Sequence, residues 1–133
     1  MPNVSETYVL DASALLCLLH AEPGAERVTD ILNRSVIGAV NLSEVVAKLA
    51  DTGGTEAEIS RALGVLRLRV EPFDDERARL AGLMRTATRP LGLSLGDRAC
   101  LALARQRAAV AVTTDRAWGK LPNQIGVPIR VVR

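Results

Sequence analysis

The chain has 133 residues, of which 48% are hydrophobic and 24% charged, and its formal net charge is +2. These values are those of one ordinary folded domain, and they exclude extensive disorder. One residue each of Phe, Tyr and Trp excludes the set of aromatic platforms on which nucleic-acid bases stack.

The cysteines and the histidine restrict the possible chemistry further. Cys17 and Cys100 each lie among apolar residues in a helical pattern, so we predict reduced thiols in the core of a cytoplasmic protein. His20 is the sole histidine and is expected at a helix end. One histidine and two cysteines are too few for a structural zinc site, and a mechanism using paired histidines is excluded.

No part of the sequence predicts a membrane anchor or a leader. No apolar run reaches the ~18–20 residues that span a membrane, and residues 1–8 have neither a basic region nor a cleavage-site pattern. We therefore expect a cytoplasmic protein without membrane contact.

The first half of the chain alternates strand and helix patterns. Apolar residues 8–10 predict a strand, and helical periodicity over 12–19 and 25–33 predicts two helices after it. Residues 36–40 predict a second strand. A helix follows, with Asn41 as its predicted N-cap and Glu44 at the third position, as in a capping box.

The second half continues the alternation. Thr55 and Glu58 form a clearer capping box, and Ser94 with Asp97 at the third position forms another. The predicted elements are, in order, a helix to residue 66, a strand over 69–73, helices over 74–87 and 95–106, and strands over 110–113 and 129–132. Strands that alternate with helices predict an α/β fold with a central, mainly parallel sheet flanked by helices.

Four acidic residues follow predicted strands or begin predicted helices: Asp11, Glu44, Asp97 and Asp115. Capping of helix N-termini explains Glu44 or Asp97 taken singly. It does not explain Asp11, which stands between Val9-Leu10 and Ala12. Since ligands bind beyond the carboxyl ends of parallel strands, we expect the four acids to converge at one edge of the sheet.

Four carboxylates in one place predict a metal site. Their mutual repulsion favours a divalent cation, and ligation by oxygen alone suits Mg²⁺ or Mn²⁺. Such ions serve phosphoryl chemistry by activating water and neutralising charge on the phosphate. The residues thus predict metal-dependent hydrolysis of phosphodiesters.

The stretches YVLDASALL, NLSEVVAKL, LSLGDRACLALA and VTTDRAW together resemble the PIN-domain ribonucleases, and most closely the VapC-type toxins of bacterial toxin–antitoxin pairs. The likeness runs from Tyr8 to the last predicted strand, with the acids in the family's order. It implies one PIN domain over residues 1–133, with a three-layer fold.

The resemblance also implies a role for each site residue. Asp11, Asp97 and Asp115 would hold Mg²⁺, with Mn²⁺ as a substitute, directly or through water, and Glu44 would bind or orient metal-bound water. Ser13 would support the site by hydrogen bonding near Asp11 and the metal. The alternative role for Ser13 is simple capping of the first helix. Thr113 or Thr114 would do similar work beside Asp115.

Three further residues near these acids have competing interpretations. Arg98 and Arg116 each follow an acid. They could neutralise the charge of the pocket or contact RNA phosphates, but we favour the alternative that they form surface salt bridges. Trp118, the single indole, is expected to be a packing residue behind the site.

The resemblance implies a Mg²⁺-dependent endoribonuclease toxin that leaves 5′-phosphate and 3′-hydroxyl ends. It also implies a homodimer held inactive by a small antitoxin whose arginine-bearing tail enters the acidic pocket. One alternative is a catalytically silent PIN-like module that binds RNA or a partner. A phosphatase with an aspartyl nucleophile is less favoured, because Asp11-Ala12-Ser13 lacks the second aspartate of that motif.

Overall fold

A computed structural model describes residues 6–133. Residues 1–5, which the predicted domain includes and in which no leader pattern was found, lie outside the described residues. The strands within residues 6–133 are β1 Tyr8–Leu10, β2 Ser35–Gly38, β3 Arg69–Glu71, β4 Val110–Thr113 and β5 Ile129–Val131. The α-helices of the same range are α1 Ala12–Leu19, α2 Ala25–Ile31, α3 Ala39–Asp51, α4 Glu56–Gly64, α5 Asp75–Leu83, α6 Arg85–Thr88 and α7 Leu95–Gln106.

The five strands form one sheet in the order β3-β2-β1-β4-β5, and every neighbouring pair is parallel. Tyr8 in the central β1 lies opposite Ser35 of β2 and Val110 of β4. All five strands therefore end at the same edge of the sheet, which confirms the predicted parallel α/β architecture. This edge is called the carboxyl edge below.

Successive side chains of a strand point to opposite faces of the sheet, so apolar residues of the same strand lie on both faces. Helices cover both faces and bury these residues. Val9 of β1 packs on one side in a cluster with Cys100 and Leu101 of α7. Tyr8 and Leu10 pack on the other side in a cluster that includes residues of α1 and α2. The core is mainly aliphatic, as the scarcity of aromatic residues predicts, although it includes Tyr8 and Trp118, and the molecule has three layers.

Several local predictions are confirmed. Thr55 with Glu58 and Ser94 with Asp97 both form reciprocal capping boxes. His20 is the C-cap of α1, and the thiols of Cys17 and Cys100 are buried and unpaired. Within residues 6–133, no helix is long and apolar enough to cross a membrane.

Two helix boundaries differ from the predictions. The predicted helix over 74–87 divides into α5 and α6, with Met84 between them. The predicted helix over 25–33 ends at Ile31, and the chain continues as a 3₁₀ turn, Leu32–Arg34. The second change tightens the backbone before β2, which is a common way for a helix to end.

The prediction of Asn41 as an N-cap is wrong. Strand β2 ends at Gly38, which is extended and serves as the N-cap of α3, so the helix already begins at Ala39. Asn41 is the third residue of the helix and is buried, with 1% of its surface exposed. No capping box forms with Glu44, which lies in the second turn.

Candidate active site

The four predicted acids lie at the carboxyl edge of the sheet. Asp11 directly follows β1, and Asp115 follows β4 by two residues. Glu44 lies in the second turn of α3, the helix that follows β2, and Asp97 lies in the first turn of α7. Parallel pairing of β1, β2 and β4 thus collects residues that are distant in sequence.

Asp11 is held in a fixed orientation by three hydrogen bonds. Its Oδ1 accepts from Ser13 Oγ at 2.7 Å and from the Ala14 backbone N–H at 2.8 Å. Its Oδ2 accepts from Thr113 Oγ1 at 2.6 Å. Asp11 is therefore the N-cap of α1, so the expectation that capping does not explain this acid is wrong, as is the alternative that Ser13 caps the helix.

Burial raises the pKa of Asp11 from 3.8 to about 6. Only 4% of its surface is exposed, so ionisation removes a charge from water, and the negative charge of Asp97 raises the pKa further. Hydrogen bonds from Thr113, Ser13 and Ala14 oppose the shift because they stabilise the carboxylate. A cation beside Asp11 would relieve the same penalty.

The predicted supporting residues join the end of β4 to Asp11. Thr113 Oγ1 donates to Asp11 and accepts from the Asp115 N–H at 3.1 Å. Ser13 Oγ likewise donates to Asp11 and accepts from the Thr114 N–H at 3.0 Å. Thr113 thus acts through its hydroxyl and Thr114 through its backbone N–H. The hydroxyl hydrogens of Ser13 and Thr113 are both donated to the carboxylate of Asp11.

Asp97 has both a capping role and a free oxygen. Its Oδ2 accepts from the Ser94 N–H at 2.9 Å, while its own N–H donates to Ser94 Oγ at 3.2 Å. Among the described residues, no donor reaches Oδ1. The capping interpretation is therefore correct for one oxygen and leaves the other for a ligand.

Glu44 is fixed by Asn41 and packs on the first turn of α7. Its Oε1 accepts from Asn41 Nδ2 at 3.0 Å, and the same nitrogen donates to the Gly96 carbonyl oxygen at 3.0 Å. Desolvation raises the pKa of Glu44, the charge of Asp97 raises it further, and the Asn41 hydrogen bond opposes both. Sequence reasoning missed Asn41 and Gly96 as site residues. The Asn-x-x-Glu pattern was interpreted as a capping box, which placed Asn41 wrongly at the helix start.

Three of the four acids interact electrostatically. The charge of Asp97 raises the pKa of both Asp11 and Glu44. Burial raises the pKa of the Cys100 thiol well above its usual range, with further contributions from the charges of these three acids. Asp11 and Glu44 therefore each lie within electrostatic range of Asp97, and these three acids are called the acidic cluster below.

Asp115 lies at the same edge but is oriented differently. Its side chain is exposed, and its Oδ1 accepts from the Ala117 N–H at 2.9 Å, which caps the 3₁₀ turn Arg116–Lys120. It contributes to neither the Asp11 nor the Glu44 pKa shift. The structure thus ties its backbone, but not its carboxylate, to the acidic cluster.

The donors of the acidic cluster fit a hard cation. Within residues 6–133, no three His, Cys, Asp or Glu side chains already form an arrangement that could hold a metal ion. Mg²⁺ keeps several waters and binds proteins through one or two carboxylates, so it does not require such a cage. Asp11, destabilised as an anion by burial, and the free Oδ1 of Asp97 are the donors for this type of ligation.

Within the described part of the chain, the arginines beside the acids do not form the surface salt bridges that we favoured. Arg98 is buried, and its Nη1 donates to the Ala81 carbonyl oxygen at 3.0 Å. Arg116 donates from Nε to the Arg133 backbone carbonyl oxygen at 3.4 Å. Trp118 is 1% exposed within the hydrophobic core, so its predicted packing role is confirmed.

A family model described as a PIN domain matches residues 8–123 of the chain. No curated protein has a sequence that matches. Among solved structures, a DNA-bound VapBC from Salmonella typhimurium is 21% identical with a TM-score of 0.74, over 96% of this chain and 99% of that chain.

Two further structures are similar. A toxin–antitoxin complex from Klebsiella pneumoniae is 14% identical with a TM-score of 0.74, over 96% of this chain and 98% of that chain. VapC20 from Mycobacterium tuberculosis, described as a sarcin–ricin loop cleaving toxin, is 17% identical with a TM-score of 0.71, over 86% and 94% of the two chains. At these identities the solved structures show a shared fold, which confirms the predicted fold class.

Proposed function

We propose that this chain, which belongs to the PIN domain family, is a Mg²⁺-dependent endoribonuclease and the toxin of a toxin–antitoxin pair. The observation that carries the proposal is the gathering of Asp11, Glu44 and Asp97 at the carboxyl edge of a parallel sheet. The fold it shares with VapBC complexes and with a sarcin–ricin loop cleaving toxin supports the same conclusion.

Asp11 and Asp97 would hold the ion. Asp11 is oriented by Ser13 and Thr113 and has a strong electrostatic reason to bind a cation, while Asp97 offers an oxygen that accepts no hydrogen bond from the described residues. Asp115, whose exposed side chain lies at the same edge of the sheet, would contribute directly or through water. When bound, Mg²⁺ neutralises charge on the scissile phosphate and lowers the pKa of a coordinated water.

Glu44 would act as the general base. A base works best when its pKa approaches the operating pH, and desolvation moves the pKa of Glu44 in that direction. Its location beside Asp97 places a proton acceptor next to the ion-binding acids. Attack of water in line on the phosphate would leave 5′-phosphate and 3′-hydroxyl ends.

Partners of the protein belong to the same proposal. The structures with the shared fold include VapBC and other toxin–antitoxin complexes, which supports a small cognate antitoxin. A homodimer in the cytoplasm belongs to the same proposal, and the side chains of Leu83 and Leu95, which are 80% and 51% exposed, are apolar surface available to it. Light scattering of the purified protein at micromolar concentration tests the dimer, and a monomer would contradict it.

Cleavage of structured RNA tests the enzymatic proposal. We expect wild-type protein to cleave in Mg²⁺ or Mn²⁺ and to be inactive in EDTA, and Asp11→Asn and Asp97→Asn to lose at least ~100-fold in rate. Asp51→Asn, at the exposed end of α3, is the matched control and is expected to cleave normally. RNA that binds without being cut in Mg²⁺ would favour the catalytically silent module.

A further inference from the structure

We propose that Asn41 is a positioning residue for Glu44, whose carboxylate it fixes against the first turn of α7. The inference rests on the proposed function, because it assigns Asn41 to the same reaction. It is carried by one side-chain amide that joins two helices of the site and by a glycine that leaves room for the carboxylate.

Both hydrogens of the Asn41 amide are used at this junction. Nδ2 donates to Glu44 Oε1 and to the Gly96 carbonyl oxygen, each at 3.0 Å. The first bond lies within α3, and the second crosses to α7, 55 residues further along the chain. A primary amide supplies two donors from one nitrogen, which Ser, Thr and the aliphatic residues do not.

The orientation of the amide follows from its partners. Turning the Asn41 amide over would place Oδ1 against the Glu44 carboxylate and the Gly96 carbonyl, which are both acceptors. In the observed orientation, Oδ1 is buried and has no hydrogen-bond partner. An unpaired buried acceptor is unfavourable for folding, so stability alone does not account for an asparagine where leucine would fill the space.

Gly96 provides the space in which Glu44 lies. A Cβ atom built on Gly96 would overlap both oxygens of the Glu44 carboxylate and lie 2.6 Å from its Cδ. Gly96 is buried and directly precedes Asp97. Fixing Glu44 to the Gly96 backbone therefore also fixes the general base relative to Asp97, one of the two acids that would hold the ion.

A double-mutant cycle separates positioning from general structural support. Asn41→Leu, Glu44→Gln and the double variant are compared in kcat and KM for RNA cleavage in Mg²⁺. Loss of a residue that orients a site group typically reduces activity about 10- to 100-fold. We expect Asn41→Leu to reduce kcat by that factor with KM unchanged, and to cause no further loss in the Glu44→Gln background.

Asn33→Leu, an exposed asparagine beyond α2, is the control and is expected to leave kcat unchanged. If Asn41→Leu reduced kcat by the same factor in both backgrounds, or had no effect in the wild type, the positioning role would be overturned. Asn41→Ala removes both donors without the bulk of leucine or an added charge, and an unchanged kcat in this variant would also overturn the positioning role.

An NMR measurement on the metal-free protein reads the contact without activity. The Asn41 side-chain amide is assigned by its disappearance in Asn41→Leu. We expect both amide protons to exchange slowly with solvent and to shift in Glu44→Gln, and fast exchange would contradict the geometry.

If the amide is protected but wild-type protein does not cleave RNA, the proposed function fails, and the positioning role fails with it. If wild-type protein cleaves and the cycle is additive, the positioning role alone fails.

Discussion

Replacing Asp11 by asparagine is expected to stabilise the metal-free protein at pH 8 and to change its stability little at pH 4. The pKa of Asp11 rises from 3.8 to about 6 on folding, so the folded state binds this proton more tightly than the unfolded state does. Stability is therefore lost as the pH rises through this range, and the loss is complete above about pH 6. A shift of this size corresponds to about 3 kcal/mol.

Asparagine removes the charge and keeps the shape. Its Oδ1 can still accept from Ser13 and from the Ala14 N–H, and its amide can donate to Thr113 Oγ1. We therefore expect the free-energy difference between Asp11→Asn and wild type to grow by about 2.5 kcal/mol between pH 4 and pH 8. In a chain of this size that is roughly 10 °C in the unfolding midpoint.

Urea denaturation in EDTA at several pH values measures this difference. Asp115→Asn is the matched control, because it makes the same chemical change at the same edge on an exposed side chain that asparagine caps equally well. We expect no comparable pH-dependent gain from it. Adding Mg²⁺ at about 100 times its dissociation constant is expected to stabilise wild type by about 2.7 kcal/mol and Asp11→Asn by less. A pH-independent difference would refute the claim that burial and the neighbouring acid penalise the Asp11 carboxylate.

Four other substitutions have expected outcomes that follow from the structure. Asp97→Asn is expected to abolish RNA cleavage while changing the unfolding free energy by less than about 1 kcal/mol, since asparagine can accept the same capping hydrogen bond from Ser94. Gly96→Ala is expected to abolish cleavage by displacing Glu44, whereas Gly82→Ala, in a helix with open space around the new methyl group, should raise stability by about 0.5–1 kcal/mol in the same denaturation assay. Trp118→Ala is expected to reduce the unfolding free energy by about 3–5 kcal/mol, and a smaller loss in urea would contradict its place in the core.

The parts of the fold that local signals determine could be predicted from the sequence. The apolar run that ends at Leu10 and the capping box of Ser94 with Asp97 are short-range patterns, and the structure has both. Parallel pairing then brings Asp11 to the same edge as the helices that carry Glu44 and Asp97. For these acids, position in the fold follows from strand ends and helix starts.

The partners of individual side chains could not be predicted, because they depend on packing between distant segments. Asn41 has the local pattern of an N-cap, but α3 begins two residues earlier, and one of its two hydrogen-bond partners belongs to α7. Arg98 was expected at the surface because it is charged, yet α7 buries it and the Ala81 carbonyl accepts its hydrogen bond. Asp115 reaches the expected edge, but its carboxylate caps the following turn.

Crystals soaked in Mn²⁺ test the central claim most directly, because anomalous scattering locates the ion without any assumption about the substrate. We expect a single strong peak beside the acidic cluster, at about 2.1 Å from a carboxylate oxygen of Asp11 or Asp97. The peak should be absent in Asp11→Asn crystals soaked in the same way. A peak elsewhere on the molecule, or no peak at millimolar Mn²⁺, would contradict the claim that this sheet gathers its acids to bind a hard cation.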